Sequence, residues 1–208
     1  MLKNNICDYR SDDALRIMNY ELYKVMLKRI RQYFFNRAVK GVTRTSHYRS
    51  WDNIRTILVL FESDLQEKNQ EARDFIKQLQ TEGKKVVACC YVDKKKASSA
   101  TFDNYVVIDR SQINWLQSPK EEFTQPLQTK FDAVIDLTEN DHLPLKYLLA
   151  QSKSDLRCGK SRVDNELYDF VIEMPPHPVD AKTGMPRMDY NYIGNLSEQI
   201  VRYLKMIK

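Results

Sequence analysis

The stretch Ile54-Arg-Thr-Ile-Leu-Val-Leu-Phe61 is a nearly unbroken run of aliphatic and β-branched side chains. A strand with one wet face alternates polar and apolar residues; a strand covered on both faces, as in a parallel sheet, does not. Comparable runs recur downstream at Val86–Val92 (VVACCYV), Tyr105–Ile108, Phe131–Leu137 (FDAVIDL), Leu156–Cys158 and Tyr168–Met174 (YDFVIEM). Helical periodicity fills the gaps. Leu65, Ala72, Phe75, Ile76 and Leu79 repeat at helix spacing, with Ser63 and Asp64 as N-cap candidates and Gly83 as the stop. A short helix is expected near Glu121–Gln128, and another over Leu143–Gln151, where Pro144 is tolerated in the first turn. Ile193–Ile207 gives a terminal helix, while residues 175–190, with four prolines and a glycine, read as a loop. Strands alternating with helices predict an α/β fold: a doubly wound, mainly parallel, Rossmann-like or flavodoxin-like sheet with right-handed crossovers.

The N-terminal quarter has a different character. Residues 1–50 carry 11 basic and 4 acidic side chains, and between Leu22 and Trp51 there are eight Lys or Arg and no Asp or Glu. From Ala14 to about Val39 apolar residues recur at helical spacing, and Leu22, Tyr23, Met26, Leu27, Ile30, Tyr33, Phe34 and Ala38 share one arc that leaves Lys24, Lys28 and Arg31 outside it. The pattern predicts a basic amphipathic helix, with Gly41 placed to end it. Residues 42–53 then form a polar, basic linker, so residues 1–51 are expected as an arm and 52–208 as the α/β domain.

Several function classes are excluded. No apolar stretch approaches the ~20 residues that span a bilayer, and the first residues lack a secretory h-region, so a cytoplasmic location is expected. Cys7, Cys89, Cys90 and Cys158 show no C-x-x-C spacing, and His47, His142 and His177 stand singly, so neither a disulfide framework nor a metal site is expected. A nucleotide cofactor is not expected either. Only five glycines occur (Gly41, Gly83, Gly159, Gly184, Gly194), and none follows the first strand, where close approach of a pyrophosphate needs them.

Two kinds of site remain. A doubly wound sheet offers ligands the carboxyl ends of its strands, and those ends carry Glu62 and Asp64, Asp93, Asp109, and then Asp136, Glu139, Asp141 and His142. The last four form a candidate acid–base or cation site. The competing reading is helix capping, since Ser63 with Gln66 and Thr138 with Asp141 have capping-box spacing. The other candidate is the arm: Lys24, Lys28, Arg29, Arg31, Arg37, Lys40, Arg44 and Arg49, interleaved with Tyr33, Phe34, Phe35, Tyr48 and Trp51, match the chemistry of phosphate neutralisation and base stacking. RNA or a ribonucleoprotein is the first partner expected. Packing of the helix on its own domain, on a partner protein or on a second copy, and adsorption to an anionic membrane, are the alternatives.

The order of a Lys/Arg-rich helix, IRTILVLF, KKVVACCYVD, FDAVIDLTENDHLPLKYLLAQSKSDLRCGK, YDFVIEM and a final EQIVRYLKMI resembles a family of short cytoplasmic Bacteroidota proteins built on a domain of unknown function. The resemblance implies a fold rather than an activity. Phe131–Lys160 is also similar, through Asp132, Val134, Ile135, Asp136, Leu137 and Gly159, to the N-terminal Rossmann-like half of the heptosyltransferases, which implies a carbohydrate-related enzyme as an alternative function.

Overall fold

The computed structural model describes residues 7–40, 44–63, 69–95, 105–162, 165–176, 178–180, 183–185 and 191–207. Gly41, Asp64, Leu65, Gln66 and half of the loop expected over 175–190, His177 included, lie outside the described residues, as does the side chain of Cys7. The chain divides into two compact units, Met1–Val42 and Thr43–Lys208.

The described residues of the first unit form one helix, α1 (Cys7–Lys40). Within it Lys24 pairs with Glu21 one turn earlier at 2.9 Å and sits over the Tyr20 ring. The expected segregation of faces is confined to the middle of the helix. Elsewhere among the described side chains apolar and charged groups intermix, because Arg37 falls inside the apolar arc while Val25 and Val39 share the side of Lys24 and Lys28.

The second unit is built on six parallel strands: β1 (Thr56–Glu62), β2 (Lys85–Val92), β3 (Tyr105–Asp109), β4 (Lys130–Asp136), β5 (Lys153–Lys160) and β6 (Phe170–Ile172), in the order β3-β2-β1-β4-β5-β6. The sheet is thus doubly wound and Rossmann-like, as the unbroken apolar runs required. Ile57 through Phe61 are all buried, which is why that strand shows no alternation. Successive strands step from β1 toward β3 and from β4 toward β6. With right-handed crossovers, α2 (Gln70–Thr81) and α4 (Leu143–Gln151) then fall on opposite faces. Ile57, Val59, Ala88, Cys90, Ala133, Ile135, Leu156 and Cys158 form one core with Phe75, Ile76 and Leu79 of α2 and Leu196, Ile200 and Leu204 of α5 (Tyr192–Met206). Seven of the nine residues of α4, Pro144 to Ala150, are buried, matching its nearly all-apolar sequence. The short α3 (Glu121–Thr124) stands in the connection from β3 to β4.

Three expectations are corrected. The helix after β1 starts later than Ser63: Asn69 caps it by accepting from the Ala72 N–H at 3.2 Å. Its end is as expected, with Gly83 at φ +79° allowing Gly83 N–H to reach Gln80 O and Lys84 N–H to reach Leu79 O, both at 3.0 Å. Next, β5 is eight residues long, not a brief strand, because its polar residues are satisfied from a distance. Finally, residues 44–50 are no free linker. His47 N–H donates to Asp155 O at 2.9 Å, Tyr48 donates to Asp169 O at 2.8 Å, and Arg44 and Arg49 are ion-paired to the same unit, as set out below.

Cys89, Cys90 and Cys158 are buried free thiols. Burial pushes Cys90 and Cys158 up to about 12, so at neutral pH they pack as small apolar groups and not as nucleophiles.

Candidate functional site at the strand-order reversal

Between β1 and β4 the strand order reverses, with Leu60 beside Asp136 at the last paired position. Crossovers that leave to opposite faces open a crevice beyond such a point. It is an open space of about 380 Å³, walled by Glu62 and Ser63 at the end of β1, Tyr91 and Asp93 at the end of β2, and Glu139 and His142 after β4.

Glu62 organises it. Its Oε1 accepts from the Glu139 N–H (3.0 Å), the Asn140 N–H (2.9 Å) and the Asn140 side-chain amide (3.0 Å), while Oε2 pairs with His142 Nε2. Burial pushes this carboxyl up, but the bonds from His142, Asn140 and Glu139 outweigh it and hold the group below its ordinary range. Glu62 is therefore an anion at neutral pH, and it orients the imidazole. The Tyr91 ring lies tilted against His142, centroids 5.0 Å apart. Its hydroxyl donates to Asp93 at 3.0 Å, and Asp93 takes both a 2.5 Å and a 2.8 Å bond from Arg110. Burial and the neighbouring Asp93 push the Tyr91 phenol well above its ordinary value, so it stays neutral.

The opposite side of the β4–α4 loop is held by cations. Lys160 donates to Glu139 O, and Arg162 donates to Thr138 O, to Thr138 Oγ1 at 2.5 Å and to Asn140 O at 3.1 Å. Backbone N–H groups of the loop thus face a carboxylate and its carbonyls face cations. Burial and the adjacent Arg162 hold Lys160 below its ordinary value. A second recess of about 330 Å³, walled by Glu139, Lys160 and Tyr192, adjoins the first through Glu139.

The four acid–base candidates separate. Glu139 and His142 share the crevice. Asp136 is 4% exposed and its carboxylate is consumed: Oδ1 accepts from the Thr138 N–H (2.9 Å) and hydroxyl (2.7 Å), and Oδ2 from the Tyr168 hydroxyl (2.5 Å). This also corrects the capping-box reading of Thr138, because α4 starts at Leu143 without a side-chain cap. Asp141 is exposed and pairs with Lys146 at 2.6 Å and Arg162 at 3.7 Å. The partner that sequence reasoning left among several strand-end acids is Glu62, 80 positions from His142. Among the described residues no group of three or more His, Cys, Asp or Glu is placed to hold a metal ion.

The eight basic candidates also separate. Lys24, Lys28, Arg29, Arg31, Arg37 and Lys40 lie on α1, where all but Arg31 are exposed. Arg44 pairs with Asp169 and donates to Ser154 O at 3.3 Å; Arg49 pairs with Asp155 at 2.7 Å and Asp132 at 3.3 Å. Lys130 adds a further bond to Asp155 at 2.8 Å. These two arginines serve the carboxylates at the amino ends of β4 and β5 and after β5, remote from the crevice at the carboxyl ends.

No described helix is long and apolar enough to cross a membrane. No curated protein and no solved structure matches the chain. Residues 28–183 do match a family model, from the basic second half of α1 through all six strands, and on that match the chain belongs to the Family of unknown function (DUF6913).

Proposed function

We propose that the protein is a non-enzymatic binding or accessory protein whose basic helix docks on an anionic partner, with single-stranded RNA or a ribonucleoprotein first. The observation that supports this is the surface of α1. Lys24, Lys28, Arg29, Arg37 and Lys40 are exposed along roughly 24 Å of helix, and exposed Tyr20, Tyr23, Tyr33 and Phe34 stand among them. Cations beside accessible rings neutralise phosphates and stack on unpaired bases. A helix lying in a membrane surface needs an apolar face apart from its basic one, and the intermixing of the two along α1 favours a polymer over a bilayer.

The test is anisotropy titration of a labelled oligo-uridine with the full chain over a salt series, alongside duplex DNA and phosphatidylserine vesicles. Affinity for the RNA is expected to fall steeply with salt and to vanish when Lys24, Lys28, Arg29, Arg31, Arg37 and Lys40 become Gln. Binding indifferent to both changes, or binding to vesicles without binding to RNA, overturns the proposal. The alternative of a small, carbohydrate-related enzyme with Asp136, Glu139, Asp141 and His142 as its site is narrowed by the engaged carboxylates of Asp136 and Asp141 to the surroundings of Glu139 and His142.

A further inference from the structure

We infer that α1 is a self-association helix: two copies of the chain pair through it, antiparallel, along a seam of Met18, Leu22, Met26, Ile30 and Tyr33. This inference does not rest on the role proposed for RNA.

Exposure comes first. On α1, Met18, Leu22, Met26 and Tyr33 are each between 53% and 61% exposed, and at 100° per residue they share one side of the helix with Ile30. Large apolar side chains gathered on one helix face and left in water mark an interaction surface. The spacing selects the partner. Leu15, Met18, Leu22, Met26, Ile30 and Tyr33 follow one another in steps of 3, 4, 4, 4 and 3 residues, a mean of 3.6. That is the turn of a straight α-helix, so the seam keeps to one side without supercoiling. The series also reads the same from either end, because it is symmetric about position 24. In an antiparallel pair centred there, Leu22 of one copy meets Met26 of the other, Met18 meets Ile30, and position 15 meets position 33. A two-fold pair needs such a self-complementary surface, in which residue i meets j and j meets i.

Charge fixes the direction. Residues 8–14 hold Asp8, Asp12 and Asp13 against Arg10, whereas residues 34–40 hold Arg37 and Lys40 and no acid. The same antiparallel register sets 8–14 of one copy beside 34–40 of the other at both ends of the pair. A parallel, in-register pair sets each basic end against its own kind and each acidic end likewise, and like charges facing across an interface are strongly unfavourable. Arg37 within the apolar arc then has a reason: the arc is apolar over the middle of the pair and ionic at its ends. Pairing covers Tyr33 but leaves Lys28, and Lys24 with the Tyr20 ring beneath it, on the outer side, where an anionic partner can still reach them.

The full chain is measured by sedimentation equilibrium over a dilution series in the absence of nucleic acid. A mass approaching twice the 24.6 kDa of the chain is expected as concentration rises. Leu22→Glu with Met26→Glu places like charges together at the centre of the pair and is expected to raise the dissociation constant at least about a hundredfold, with the urea midpoint of the α/β unit unchanged. Lys24→Gln with Lys28→Gln, off the seam, is expected to leave the dissociation constant unchanged. Arg37→Glu with Lys40→Glu is expected to weaken pairing, and adding Asp8→Lys with Asp12→Lys to the same chain to restore it. Direction is read on a chain that keeps the seam intact, carrying Cys7→Ser and a nitroxide label on Ala38→Cys; Cys89, Cys90 and Cys158 are buried and take no label. In the antiparallel pair position 38 lies beside position 10 of the other copy, so pulsed electron double resonance is expected to give a separation of roughly 40 Å, against roughly 10 Å between helix axes in a parallel pair. The inference is overturned if the full chain stays monomeric, if Leu22→Glu with Met26→Glu leaves the mass unchanged, if the charge reversal is not restored, or if the labels lie close together. A monomer that binds oligo-uridine removes the pairing alone, and a dimer indifferent to oligo-uridine removes the RNA reading alone.

Discussion

Tyr168 donates its phenolic hydrogen to the Asp136 carboxylate at 2.5 Å, and the same ring lies against Gly159, where an added Cβ would come within 2.5 Å of ring carbon Cε1. The two neighbours fix one buried ring from both sides. Tyr168→Phe removes a donor to a buried anion and is expected to cost about 1.5–3 kcal/mol. Gly159→Ala forces the ring out of place and is expected to cost about 1–3 kcal/mol by overpacking. Urea unfolding monitored by circular dichroism reads both, and the double variant should lose less than the sum because the two changes act on one ring.

The buried guanidinium of Arg157 donates to Ala150 O at 3.1 Å and Ser152 O at 2.9 Å, closing the C-terminal end of α4. Carbonyls at a helix C-terminus lack intrahelical partners and favour a cation. Burial and nearby Arg44 hold Arg157 down to about 10, which still leaves it charged at neutral pH. Arg157→Met keeps apolar volume but leaves those carbonyls unsatisfied, for an expected loss of about 2–4 kcal/mol. Arg157→Lys should fall between. Hydrogen exchange at Ser152 N–H, bonded to Leu148 O, is expected to accelerate in the Met variant first.

Glu62 gives the fold an acid-sensitive carboxylate. Its folded value lies below the ordinary 4.5, so its contribution is fully present above that pH and is lost as pH falls through the folded value. Asp93, Asp132 and Asp155 are also held below their ordinary values, so the wild type should lose stability progressively in acid. Glu62→Gln is expected to lower stability at pH 7 and to flatten the slope below about pH 4.5 without abolishing it. Urea midpoints measured from pH 7 down to acid compare the two; parallel curves would show that Glu62 contributes nothing beyond packing.

What is legible in the sequence, and what is not, divides along the range of the interactions. Ile57–Phe61 declares a doubly covered strand because burial is written in the side chains themselves, and Leu143–Gln151 declares a buried helix for the same reason. The start of α2 is misplaced by pattern alone because Ser63 and Gln66 carry a capping signal at the wrong turn, and only the fold shows Asn69 doing the capping. β5 looks short because Lys153, Ser154, Asp155 and Arg157 are polar. Their partners include Arg49, Lys130 and the end of α4, and no local pattern links Arg49 to Asp155. The same holds for the crevice. Glu62 and Asp136 both end strands with an acid, yet one meets His142 across the strand-order reversal and the other is absorbed by Thr138 and Tyr168. Topology decides which is which.

The eight basic residues between Leu22 and Trp51 should behave as two sets. Gln at Lys24, Lys28, Arg29, Arg31, Arg37 and Lys40 together is expected to leave the urea midpoint of the α/β unit unchanged and to abolish oligo-uridine binding, while single replacements each reduce the dependence of log K on log salt by about 0.7 for the phosphate no longer neutralised. Gln at Arg44 and Arg49 should do the reverse. Arg49 is partly exposed and its removal is expected to cost about 1 kcal/mol or less, whereas removal of Arg44, which reaches Asp169 and two carbonyls of β5, should cost about 1–3 kcal/mol. Limited proteolysis should then cleave within residues 44–50 sooner in the second set than in wild type. If instead the second set weakened RNA binding as strongly as the first with no change in unfolding or cleavage, Arg44 and Arg49 would belong to the anion-binding surface, and their ion pairs would have to open when the partner binds.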